Sequence, residues 1–147
     1  MKLMNINIEV TKEQYKKILQ AFYLGDLVLH SMKETPEETD AEFTAAEQLL
    51  FSYAKEAGLD DYIEYDEEFK EYFPTPLMEQ EFDQGIRTYE QEILPDQIAA
   101  LLARNQVEEL IKQKKVVQEE ALQLLFELED EFLTRLEQNG LQGLYLK

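Results

Sequence analysis

A helical apolar period runs through the last third of the chain and constrains its fold more than any other feature. Val107, Leu110, Ile111, Val117, Ala121, Leu124, Leu125, Leu128, Phe132 and Leu136 recur at the spacing of one helix face, as far as Asn139. Drawn as one straight helix, this stretch would measure ~50 Å. A compact domain of this length has a radius of gyration of ~15 Å, so a straight helix would overhang. Two outcomes are open. The helix bends at Lys112 to Lys115, because Lys114 falls on the apolar stripe. Or it stays straight and a second copy covers the excess, giving a homodimer through the C-terminal helix.

Charge opposes that dimer. The 147 residues hold 14 Lys and Arg against 32 Asp and Glu, a formal net charge of −18. The same balance argues against nucleic acid, which needs a basic footprint, and against docking on anionic lipid. It suits a basic protein partner. Absence of cysteine removes disulfides, thiolate metal sites and Cys nucleophiles. A single histidine, His30, removes every site that needs two. Leu, Ile, Val and Phe together make up 43 of the residues, well above the ~20% below which a charged chain stays disordered, so a core is available. No window is long and apolar enough to span a membrane. Asn5, Asn7 and Glu9 interrupt MKLMNINIEV, which therefore lacks the continuous apolar stretch of a signal peptide. The expectation is a cytosolic protein without a cofactor.

Met4, Ile6, Ile8 and Val10 alternate with polar residues, the pattern of a half-buried strand. Leu144 to Leu146 reads as a second short strand, and the two chain ends are expected to pair. Thr11 with Gln14 forms a capping box for a first helix. Its core face is Tyr15, Ile18, Leu19, Phe22 and Leu29. From Phe22 to Leu29 it is apolar nearly all round, as a central helix would be. A second helix runs from Ala41 to about Ala57 and stops at Gly58.

Between Asp60 and Phe73 the aromatics Tyr62, Tyr65, Phe69 and Tyr72 suit a helix, whereas Tyr62–Tyr65 and Glu71–Phe73 suit two short strands. Irregular structure with a short hairpin or helical turn is expected there. Thr75 then caps a helix with Pro76 at its first position. That helix ends near Ile93; Pro95 restarts the chain, Ile98, Leu101 and Leu102 make a short helix, and Asn105 with Glu108 opens the final helix, closed at Asn139-Gly140. The fold class is mostly α (α+β): a single domain over 1–147, of about five helices, with a small β-sheet formed by the N- and C-terminal strands.

Three stretches, IEVTKEQYKKILQAFYLGD, AKEAGLDDYIEYDEEFKEYFPT and FLTRLEQNGLQGLYL, cover about a third of the chain. Together they resemble a family of small acidic bacterial proteins without an assigned function. The resemblance implies a cytosolic bacterial protein and carries over no site residue.

Three constellations carry chemistry. Asp26 falls within the core face of the first helix and His30 lies one turn on, within hydrogen-bond reach. Asp26 could orient His30 as a general base, or it could be a buried acid satisfied internally; burial and pairing are expected. Asp60, Asp61, Glu64, Asp66, Glu67 and Glu68 offer oxygen ligands for a divalent cation. The EF-hand order fails, with Tyr62 and Tyr65 where an acid and Gly belong, so a solvated acidic face is expected. Tyr62, Tyr65, Phe69 and Tyr72 are candidate anchors for a partner if exposed.

The function favoured by the sequence is a non-enzymatic acidic interaction or regulatory protein. One alternative is a small carboxylate- and His-dependent hydrolase or metal-dependent enzyme. Another is a mimic of nucleic-acid charge that occupies a basic protein.

Overall fold

The computed structural model describes residues 3–144. Contacts gather them into two compact units, divided between Ile86 and Arg87.

The first unit opens with a correction. Residues 3–10 form no strand, and Met4, Ile6 and Ile8 stand exposed. Alternation prepares a strand, but only a ladder partner satisfies its backbone, and the described residues supply none. The expected partner strand lies, beyond Leu144, outside the described residues. The sheet is instead a local hairpin, β1 (Ile63–Asp66) against β2 (Glu71–Pro74), antiparallel, with Tyr65 opposite Tyr72 and Glu64 opposite Phe73.

Helix α1 (Lys12–His30) starts at the capping box read from the sequence: the Gln14 N–H donates to the Thr11 hydroxyl, and the Thr11 N–H to the Gln14 side chain. It buries Tyr15 and Leu19, while Val28 and Leu29 are exposed. Its C-terminal half is therefore not enclosed as a central helix would be.

Helix α2 (Ala41–Phe51) is capped by Asp40. It ends six residues before the expected Ala57. Tyr53 and Ala54 bond three residues back instead of four, and Ser52 turns its hydroxyl to the Leu49 carbonyl. These tighter turns carry the chain to Gly58, at φ +69, and bring Ala54 and Leu59 into the core.

That core joins Tyr15 and Leu19 of α1, Phe51, Ala54, Leu59, Ile63, and Met78 and Phe82 of helix α3 (Pro76–Lys112). Thr75 starts α3 as expected; its hydroxyl accepts from the Met78 N–H and donates to the Asp61 carbonyl.

Helix α3 runs on into the second unit through Pro95 and Asn105, both expected boundaries. Proline deletes one backbone bond at a cost of ~3 kcal/mol. Here the turns beyond it are held by Ala99, Ala103 and Val107, all buried. Helix α3 thus merges the helix expected to end near Ile93, the short helix expected at Ile98, Leu101 and Leu102, and the opening of the expected final helix, leaving four α-helices among the described residues.

The turn before α4 (Gln118–Asn139) falls where Lys112 to Lys115 mark the bend. Lys115 N–H bonds the Leu110 carbonyl and Lys114 N–H the Ile111 carbonyl, the Schellman pattern. Lys114, at φ +55, occupies the left-handed position that usually belongs to Gly. The stripe thus folds back on itself: Ala103, Val107 and Leu128 bury one another, with Ala121, Leu124, Leu125 and Phe132 around them. The straight helix that motivated a dimer is absent. No described helix is long and apolar enough to cross a membrane.

Candidate functional site

The expected pair forms. At the end of α1 the His30 Nδ1–H donates to Asp26 Oδ1 at 2.6 Å. Its other nitrogen, Nε2, accepts the backbone N–H of Asp40 at 2.9 Å. Both bonds together require the proton on Nδ1. Phe43 meets the ring edge-on. His30 thus ties the last turn of α1 to the residue that caps α2, across the connection 31–39.

Burial is divided unequally between the partners. The His30 side chain is 11% exposed, but that of Asp26 is 44% exposed. The expectation of a largely buried Asp26 is corrected: the acid is paired with His30, but its side chain is nearly half exposed. With Nε2 engaged by a backbone amide, His30 has no lone pair left for a substrate proton. The arrangement serves as a tether more readily than as a general base.

A second acid belongs to this cluster. Glu47 on α2 has its pKa pushed up to about 7, first by burial and then by the charge of Asp26, with His30 acting in the opposite direction. No local signal marks Glu47, because it comes under the charge of Asp26 only through the packing of α1 on α2.

The acidic segment becomes the β1–β2 hairpin. Asp66 accepts the backbone N–H groups of Glu68 and Phe69, so its carboxylate ties the turn. Lys70, at φ +56, completes that turn. Asp60, Asp61, Glu64, Glu67 and Glu68 are exposed. Among the described residues no three His, Asp or Glu side chains are gathered as metal ligands.

Strand alternation sorts the aromatics differently from the helical spacing. Tyr72 faces inward, and Gln48 of α2 brackets its backbone: the Gln48 amide N–H donates to the Tyr72 carbonyl and its oxygen accepts the Tyr72 N–H, both at 2.8 Å. Tyr62 is fastened as well. Its hydroxyl donates to Glu81, Lys16 sits over its ring at 4.7 Å, and Phe82 stacks on it. These two anchors are therefore corrected to core-lining residues. Tyr65 remains partly open and Phe69 is 67% exposed. Phe69 meets Phe73, centroids 6.3 Å apart. Phe73 was not among the expected anchors, because a helix reading hides the face that β2 gives it. The outer face of the hairpin is thus an aromatic pair framed by Glu64, Glu67, Glu68 and Glu71.

The deeper polar groups of the first unit are internally satisfied. Burial raises the Tyr15 hydroxyl to about 12, and it donates to the Leu50 carbonyl at 2.6 Å. The Tyr23 hydroxyl is raised by burial and by its bond to Asp83. Lys16 is raised and Glu81 lowered by their mutual hydrogen bond. Comparison with protein-family models, with curated proteins and with solved structures gives no match.

Proposed function

We propose that the chain is a non-enzymatic interaction protein that meets a basic protein partner through its acidic faces. The observation that carries this reading is the hairpin face: the exposed Phe69–Phe73 pair set among Glu64, Glu67, Glu68 and Glu71. Aromatic anchors ringed by charge are how compact interfaces concentrate their energy. Surrounding acids raise the on-rate for a cationic surface and penalise wrong partners. His30, held at both nitrogens, supports the same reading by withdrawing the best candidate for acid–base chemistry.

Affinity capture from native extract tests this, with the full chain and its Phe69→Ser variant as paired baits. The reading expects a basic protein that is retained at about 0.05 M salt, released at about 0.5 M, and lost with Phe69→Ser. Retention indifferent to both salt and Phe69, or no retention, contradicts it.

A further inference from the structure

In the second unit, α3 and α4 border an open groove of about 480 Å³ on one flank of their packed seam. Ala99 and Ala100 of α3 and Phe126 and Leu133 of α4 give it an apolar lining. The small alanines leave the space, and Phe126 stands 60% exposed beside it. Leu122, one turn earlier on the same face of α4, is also exposed. The charges are distributed on both helices. Asp96 stands on α3, Glu129 and Asp130 on α4, and no basic residue is among those lining the groove.

Apolar side chains flanked by Asp96 on one helix and by Glu129 and Asp130 on the other select among occupants. Anionic lipid and nucleic acid are repelled by these acids. A second copy, itself at −18, meets the same repulsion. What fits is a helix with an apolar stripe flanked on both sides by Lys or Arg. Its aliphatic ridge enters the groove at i, i+3, i+4 and i+7 spacing, and its cations reach the carboxylates of both walls.

We propose that this groove docks a basic amphipathic helix of a partner protein. The inference rests on the reading of the chain as an acidic interaction protein, and it places a second surface apart from the hairpin.

The test uses the full chain and a fluorescein-labelled Leu/Lys peptide of about 18 residues, five helical turns, with its leucines in one stripe. A scrambled peptide of the same composition is the control. Fluorescence anisotropy is read at low salt for the wild type, for the groove variants Phe126→Ala and Asp130→Lys, and for the hairpin variant Phe69→Ser. Phe126 and Asp130 are exposed, so both groove variants keep the fold, which circular dichroism checks.

The proposal expects the striped peptide to bind more tightly than the scrambled one. Each groove variant should weaken it about tenfold or more, and Phe69→Ser should leave it unchanged. Equal binding of the two peptides, or binding indifferent to both groove variants, overturns the groove. If the loss appears only with Phe69→Ser, the groove fails while the acidic-surface reading stands. If neither peptide binds even at low salt, both fail.

Discussion

The two units solve the same problem with different means. In the first, side chains bond across long stretches of sequence: Tyr15 to the Leu50 carbonyl, Tyr23 to Asp83, Gln48 to Tyr72, Thr75 to Asp61, and Asp40 to His30. They enclose a core containing Phe51, Met78 and Phe82, each almost fully buried. In the second unit the side-chain bonds of α4 are local, one turn apart: Gln123 to Glu127, Arg135 to Glu131, Asn139 to the Arg135 carbonyl. An apolar seam centred on Ala103, Val107 and Leu128 holds α4 against α3. Such a seam stabilises two helices through one face of each, and Leu122 and Phe126 of α4 stay exposed. The side-chain bonds that span the sequence go into the fold of the first unit, whereas those of α4 stay within the helix.

The largest expected contrast comes from emptying the two cores. Phe82→Ala should cost ~3–5 kcal/mol and Leu128→Ala ~2 kcal/mol, read from urea unfolding. Leu128→Ala should loosen amides of 99–139 while leaving α1 and α2 protected. Equal losses spread over the whole chain would erase the distinction.

Next comes the bracket on β2. Gln48→Ala leaves the Tyr72 N–H and carbonyl without their partner and should cost ~2 kcal/mol. A neutral result would mean that these groups find water or another donor at no cost, and that long-range polar ties do not distinguish the first unit.

Glu47 makes that unit sensitive to pH. Its folded pKa of about 7 stands above the usual 4.5. Between those values the unfolded chain has released a proton that the folded chain keeps. This contribution to stability is present below about pH 4.5, falls as pH rises, and is gone above about pH 7. Glu47→Gln should therefore stabilise the protein at pH 8 by ~1 kcal/mol, a figure discounted for the group's partial contact with solvent, and do little at pH 4. Equal effects at both pH values would contradict the assignment.

The smallest effect tests the turn of the second unit. A non-Gly residue in the left-handed region costs ~1 kcal/mol, so Lys114→Gly should stabilise by somewhat less, because glycine also gains freedom when unfolded. Destabilisation would show that the Lys114 side chain contributes more than its backbone strain costs.

What was legible in the sequence was local. The Thr11–Gln14 box, the Thr75–Pro76 start and the bend at Lys112 to Lys115 each depend on residues within one or two turns, and each lies where it was read; Gly58 takes its left-handed turn, but the helix expected to reach it ends at Phe51. The misreadings concern distant partners. Met4 to Val10 alternates like a strand yet has no ladder among the described residues. Pro95 and Asn105 carry stop and start signals, but the Ala99–Ala103–Val107 seam outweighs them. The Asp26–His30 bond was legible because it spans one turn. The Asp40 amide that occupies the other ring nitrogen, ten residues on, was not, and it is what changes the chemical meaning of the pair.

Native-state amide hydrogen exchange on the full chain tests the central contrast most directly. The account predicts that amides in 15–23, 45–51 and 78–86 exchange only through global unfolding, whereas those in 121–136 exchange through a separate opening of lower free energy. Protection of α4 equal to that of α1, lost in a single shared transition, would contradict it.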